Sequence, residues 1–453
     1  MPYKGQQASK GGHSFLVNNE DVKSFLGECK YMKTPGPDEG KFIAAMFSSA
    51  PTGGGLPDLV IASDGSPFSD PISDAFPSTQ IGYVKTSFLC FDMKDFNGLV
   101  SGGSKFVDPH SLAEFHNKAK AIAFVLPGSN VRYKDASTVQ DGFRLAIFEQ
   151  LSDKRTKINA NAPTVLDTLF AINHDIIDFK NCPSCGDASG TFVYNSSNTK
   201  TICKNCSETV YATDALRIHE QISDYGDTSS AITRFMNAVE HLLMCTLIKT
   251  MAENNIEQLS RSAFIMDGPL ALFGQPAKMH APILAYYNSV FDSCNLRGLP
   301  PPLIIGLQKE GQVMEHARSL SSFLAPDTYC VVTDDYRAKF INGVSLQKIN
   351  FGHETYYGQD FIFKTASGYV FDVCLPYPIR DKKSREDFAK KKGDSKLYEP
   401  WLARAFDLIR YLEFDLYENS VIPVALAHRH ASISLKPGGT MLDILTKKHL
   451  GQV

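Results

Sequence analysis

Short apolar runs that end in Asp-Gly alternate along this chain with longer stretches whose apolar residues recur at helical spacing. Leu59-Val60-Ile61-Ala62 follows a Thr52-Gly53-Gly54-Gly55 turn and predicts a buried strand that delivers Asp64-Gly65-Ser66 to its end. Residues 80–91 have the β-branched and aromatic content of a second strand. Residues 108–123, 142–151 and 164–172 read as helices. Between 230 and 253, Ile232, Phe235, Met236, Val239, Leu242 and Leu243 repeat at helical spacing and predict one more helix. It leads into Ala263-Phe264-Ile265-Met266, a buried strand ending in Asp267-Gly268-Pro269-Leu270, and Leu303-Ile304-Ile305-Gly306-Leu307 forms another, ending near Lys309 and Glu310.

Residues 357–376 predict two strands across an Ala366-Ser367-Gly368 turn, followed by a charged segment, a helix over 401–419 and the apolar stretch 421–434. Residues 1–40 read as a peripheral arm with one short helix around Val22, Phe25 and Leu26. Alternating strand and helix patterns with antiparallel pieces between them place the chain in the α/β class, with a mixed sheet.

Composition narrows this further. With 453 residues, 43% hydrophobic and 21% charged, the chain can bury a large core. It has no apolar run long enough for a membrane span and no signal-like N-terminal stretch, so a cytoplasmic location without membrane attachment is expected. The net charge of −3 gives no global attraction to a polyanion, so any nucleic-acid contact must come from local patches. One such patch, residues 380–396, holds eight basic and four acidic residues, and reads equally as a phosphate track or a solvated loop. No phosphate-binding loop of the G-x-x-x-x-G-K-[ST] type occurs, so ATP-driven movement would require a partner.

Four of the ten cysteines form two knuckles, Cys182-Pro-Ser-Cys185 and Cys203-Lys-Asn-Cys206, with 17 residues between them. That spacing predicts a structural zinc site, because four thiolates close a tetrahedron with no open position. Residues 181–213 are therefore expected to be a zinc-ribbon-like module inserted between 41–180 and 214–453.

The two Asp-Gly pairs carry the other candidate chemistry. Asp-Gly after a strand commonly just opens a turn. Carboxylates brought together at strand ends, however, repel unless a cation neutralises them, and hard oxygen ligands suit Mn²⁺ or Mg²⁺. Such an ion activates water for phosphodiester hydrolysis. Glu240 on the helix, Lys309 after the third strand and His428 in Ala425-Leu-Ala-His-Arg-His430 complete the candidate set. His428 is a metal ligand or a proton donor, and Lys309 contacts phosphate or orients water.

The ordered strings VIASDGS, FIMDGPL, IIGLQKEG, YYGQDFIFKT and IPVALAHRHASI, spread over residues 58–447, resemble the motif series of the NurA nuclease family. The resemblance implies an RNase H-like core, Mn²⁺-dependent cleavage of DNA, a homodimer and pairing with a HerA-type hexameric ATPase. It implies that Asp64 and Asp267 are the metal-binding aspartates, that His428 is the histidine of the C-terminal motif, and that Glu240 is the helical glutamate, with Glu253 on the same stretch. A late active-site tyrosine is matched by Tyr357, with Tyr356 beside it. The expected activity is exonuclease and/or single-strand endonuclease in DNA end processing, repair or anti-phage defence. The alternative is a non-catalytic nucleic-acid-binding or scaffold subunit.

Overall fold

A computed structural model describes residues 10–29, 34–99, 119–343, 355–380, 382, 384–413, 421–433, 442 and 445–448. Its strands in chain order are β1 (Ser48–Ser49), β2 (Leu59–Pro71), β3 (Gln80–Asp92), β4 (Lys120–Pro127), β5 (Ile177–Phe179), β6 (Phe192–Tyr194), β7 (Lys200–Ile202), β8 (Thr209–Tyr211), β9 (Ser262–Asp267), β10 (Leu303–Gln308), β11 (Thr328–Val331), β12 (Gly358–Lys364) and β13 (Val370–Pro376). Nine of these form one sheet in the order β1-β11-β12-β13-β10-β9-β2-β3-β4. Strands β4, β3 and β2 are an antiparallel meander, and β9 and β10 run parallel to β2. A three-stranded meander continued by two parallel strands is an RNase H-like core with a mixed sheet. The antiparallel hairpin β12–β13, joined as expected across 365–369, extends it on the β10 side.

The central strands are central because their apolar runs are continuous. Val60 to Ala62 and Ala263 to Met266 are all buried, as both faces of a covered sheet require. Seven helices do most of the covering: α1 (Val139–Ser152), α2 (Val165–Ile172), α3 (Ser229–Asn254), α4 (His280–Asn295), α5 (Gln312–Leu320), α6 (Glu399–Leu412) and α7 (Ile422–Ala431). Thr164 and Asp167 form a reciprocal cap that starts α2 where the periodicity begins. Both α3 and α7 pack on β2 and β3, from opposite faces of the sheet.

Several expectations change. Strand β2 does not end at Asp64 but runs on to Pro71, with Asp64 opposite Ser87 and Gly65 opposite Thr86. The first Asp-Gly is therefore mid-strand, held extended by its partner β3. The second does end a strand, and Gly268 turns the chain with φ +110°. Of the helix expected over 108–123, residues to 118 lie outside the described ones, and Lys120 onward is strand β4. The helix of 401–419 is seen as Glu399–Leu412, with 414–420 outside the described residues. The arm carries helices Lys10–Asn18 and Glu20–Glu28, but the next, Pro37–Ala44, buries Ile43 against Val313, Met314 and Ile362 and so belongs to the body.

The cysteine module begins before residue 181, since β5 pairs with β6 and β7 with β8. Fully buried Arg144 of α1 ties it down. Its guanidinium donates to both Asp214 oxygens at 2.9 and 2.6 Å, to Asp141 and Ser184 Oγ at 2.7 Å each, and to the Thr209 carbonyl at 2.8 Å. Every N–H of a charge removed from water is thereby matched, the condition under which such burial is tolerated.

Candidate metal centre

Residues paired across strands share a face of the sheet. Ser63 pairs with Met266, so one step further along the parallel strands places Asp64 beside Asp267. Both carboxylates face away from α3, toward α7. Ser87, opposite Asp64, donates its hydroxyl to the Ala427 carbonyl at 2.7 Å, which seats α7 on this face. One residue later on α7, His428 donates from Nδ1 to Asp64 Oδ2 at 2.6 Å and lies 3.9 Å from Asp267 Oδ2. The ligand atoms of Asp64, Asp267 and His428 all fall within 4.8 Å of one another. Lys309, just past β10, donates to Asp267 Oδ2 at 2.6 Å.

Glu240 approaches from the opposite face of the sheet, near enough to feel the charges of both aspartates but outside the group whose ligand atoms lie within 4.8 Å of one another. A Cβ on Gly65 would lie 2.9 Å from Met236 Cγ and 3.4 Å from Glu240 Oε2, so the bare backbone of that glycine makes room for the carboxylate. This gives the Asp64-Gly65 pair a reason other than a turn. Glu253 is excluded from the centre: it is exposed near the end of α3 and pairs with Lys249.

The electrostatics are those of crowded carboxylates. Burial, then the charges of Asp64 and Asp267, push the Glu240 carboxyl well above the usual range, against the opposing Lys309. Burial also lifts Asp267 to about 6, with Lys309 opposing and Asp64 adding to the rise. His428 is raised by its hydrogen bond to Asp64, which outweighs burial. It stands in the last turn of α7, where the helix dipole also favours a cation. Glu240 Oε1 is buried with no hydrogen-bond partner. Two carboxylates and an imidazole within 4.8 Å of one another, with a further buried carboxylate oxygen left unpartnered across the sheet, fit a divalent cation with hard-oxygen preference, Mn²⁺ or Mg²⁺.

Tyr357 is not brought into this cluster. It is fully buried, its hydroxyl bonded to His241 Nδ1 and 4.0 Å from Met266 Sδ, so it has no surface to offer a substrate. Tyr356 instead bridges to Ala271 and faces Arg337. His241 and Lys85 are new members of the neighbourhood. Lys85 is on β3, two positions from the partner of Asp64 and on the same sheet face, with its ammonium partly desolvated. Neither stands out in the sequence, because one lies inside an apolar helix and the other inside an apolar strand.

The four cysteines converge as their spacing implies. Sγ of Cys182 lies 3.8 Å from that of Cys206, and Sγ of Cys185 lies 3.9 Å from that of Cys203. A tetrahedron with metal–sulfur bonds of about 2.3 Å has edges of roughly 3.8 Å. The two knuckles are copies: Gly186 N–H donates to Cys182 O, and Ser207 N–H to Cys203 O, each at 2.9 Å. Asn205 adds a side-chain N–H to Cys185 Sγ at 3.5 Å. The donor set fits zinc, and all four positions of a tetrahedral ion are taken.

Among the described residues no helix is long and apolar enough to cross a membrane. No family model matches the chain, and no curated protein matches it. Among the solved structures that resemble it, two share 9% sequence identity with it. One is the crystal structure of the NurA nuclease from Sulfolobus solfataricus, with a TM-score of 0.35 over 98% of this chain and 99% of that one. The other is a crystal structure of NurA, with a TM-score of 0.28 over 97% of each chain.

Proposed function

We propose that this chain is a metal-dependent DNA nuclease of the NurA kind. The observation that carries the reading is the convergence of Asp64, Asp267 and His428 on one sheet face with the buried, unpartnered carboxylate of Glu240 from the other. The order of the five sequence motifs supports it. Asp64, Asp267 and Glu240, with His428 as an additional ligand or proton donor, would hold Mn²⁺ or Mg²⁺, which supplies Lewis acidity and an activated water.

The chain's own residues do the rest. Lys309 neutralises charge on Asp267 and orients the reacting phosphate, and Lys85 contacts the phosphate next to it. His428, with more than half of its side chain exposed and its pKa raised by Asp64, gives a proton to the leaving oxygen. Tyr357 makes no substrate contact. The four cysteines would hold zinc as a structural ion, with no open position for a reacting group.

The resemblance extends the proposal to exonuclease and/or single-strand endonuclease cleavage, by a homodimer working with a HerA-type hexameric ATPase in end processing, repair or anti-phage defence. The sequence has no phosphate-binding loop of its own to drive DNA movement. The test is cleavage of end-labelled linear and circular DNA with Mn²⁺, with and without the ATPase, comparing wild type with Asp267→Ala. Loss of roughly a thousandfold in rate, about 4 kcal/mol of barrier, is expected for the variant. If Mn²⁺ supports no cleavage and wild type and variant behave alike, the chain is a DNA-binding or scaffold subunit instead.

A further inference from the structure

We propose that His241 is a positioning residue for the carboxylate centre, holding Glu240 and the loop after Asp267 in register through Tyr357. The inference rests on the metal-centre reading above and concerns residues that touch neither metal nor substrate. Asn237, Glu240 and His241 lie within five positions of α3, on the part of the helix that passes under Gly65. His241 is buried, and its Nδ1 meets the Tyr357 hydroxyl. Its Nε2 lies 3.3 Å from Asn237 Nδ2, while Asn237 Oδ1 is buried with no partner.

Both ring nitrogens are therefore engaged in either tautomer: Asn237 Nδ2–H donates to an unprotonated Nε2, or, with the amide turned over, Nε2–H donates to Oδ1, while Nδ1 pairs with the Tyr357 hydroxyl. Either way the helix segment bearing Glu240 is bonded to Tyr357.

Tyr357 grips the other half of the centre. Its hydroxyl lies 4.0 Å from Sδ of Met266, the residue before Asp267. Its backbone N–H donates to the Leu270 carbonyl at 2.9 Å, three residues after Asp267, and its own carbonyl accepts from Tyr377 at 2.9 Å. The Ala271 carbonyl of the same loop also faces the His241 imidazole. The rings of His241 and Tyr357 meet edge to face, with centroids 5.4 Å apart, and Tyr287 packs on Tyr357 from another side at 5.9 Å. A single side-chain pair thus spans α3, β9 and the loop following it, the three segments whose relative placement sets the distance between Glu240 and Asp267. Groups hydrogen-bonded to metal ligands typically contribute a factor of about 10–100 in metal affinity, and a pair that acts on Glu240 and Asp267 through the neighbouring chain belongs at the lower end.

The test is calorimetric titration of Mn²⁺ into the full chain with its zinc retained, alongside thermal unfolding, for wild type, Tyr357→Phe, His241→Gln and Asp267→Ala. Tyr357→Phe keeps the ring and removes only the hydroxyl. It is expected to weaken Mn²⁺ binding about tenfold and to shift Tm by no more than a few degrees, with DNA cleavage recovering at saturating Mn²⁺. His241→Gln, which retains a hydrogen-bonding side chain, is expected to weaken binding in the same direction. Mn²⁺ affinity within twofold of wild type in both variants overturns the proposal, whether or not Tm falls, because the pair would then serve packing alone. Failure of wild type itself to bind Mn²⁺ overturns the metal centre and this proposal with it, a result distinct from equal binding by wild type and variants.

Discussion

The two candidate metal centres of this protein are built in opposite ways. All four cysteines come from residues 182–206, on two copies of the same tight knuckle, so the local chain almost completes the site by itself. The carboxylate centre draws Asp64, Glu240, Asp267, Lys309 and His428 from five segments, and its shortest contact to the helix α7 joins residues 364 positions apart. One site closes its own loop; the other exists only when the sheet order is right. A site of the first kind saturates its metal and stabilises structure, whereas the second leaves charge uncompensated and so has chemistry to offer.

The strongest challenge to this contrast is to remove one centre and interrogate the other. Cys203→Ser is expected to take bound zinc from one per chain toward none and to destabilise the module by several kcal/mol, since structural zinc contributes on the order of 10 kcal/mol in small modules. Mn²⁺ affinity should stay within about twofold of wild type. Elemental analysis and calorimetry check both halves, and a collapse of Mn²⁺ binding would show that the centres are not independent.

A second expectation concerns pH with no added divalent metal. Asp267 titrates at about 6 in the folded protein against an ordinary 3.8, so between those values the folded state retains a proton that the unfolded chain has lost. Stability therefore falls as pH rises through that window, by about 3 kcal/mol for a two-unit shift. Glu240, also raised, adds with the same sign. His428 acts in the same direction: its contribution is fully present below 6.5 and is lost as pH rises through its raised folded value. Thermal unfolding from pH 4 to 8 should show Asp267→Asn gaining on wild type as pH increases, and Mn²⁺ should close the gap. A constant difference between the two would contradict the crowded-carboxylate picture.

The smallest effect is the sharpest geometrically. Gly65→Ala places a methyl 2.9 Å from Met236 Cγ and 3.4 Å from Glu240 Oε2. Met236 is flexible and can yield, so the stability loss should be about 1 kcal/mol. Displacement of Glu240 should nevertheless lower Mn²⁺-dependent cleavage roughly tenfold. A variant of full activity would mean that Glu240 does not need the space that the glycine leaves.

Individual residues show where sequence reading succeeds and where it stops. The runs 60–62, 263–266 and 303–307 are buried strands because a continuous apolar segment is stable only inside a covered sheet. The same logic sees β2 end at Asp64-Gly65-Ser66, since residues 63–67 are rich in turn formers, and pairing with β3 overrides that propensity and carries the strand on to Pro71. Glu240 and Glu253 share one helix and one chemistry, and only packing against Gly65 separates the buried carboxylate from the exposed one. Tyr357 lies in a motif that suggests catalysis, yet its backbone is bonded behind the loop and its hydroxyl is spent on His241. No spacing rule links residues 241 and 357.

Sequence by itself determined the cysteine centre, the identity of the central strands and the list of acidic candidates, because these depend on interactions within about 30 residues or on simple burial of apolar runs. The tertiary structure decided which candidates meet. Parallel pairing of β2 with β9 sets Asp64 beside Asp267, α7 brings His428 to them, and α3 seats Glu240 over Gly65 on the opposite face of the sheet. Those contacts join distant segments through sheet order and helix docking, whose energies come from the whole core rather than from the residues that form the site.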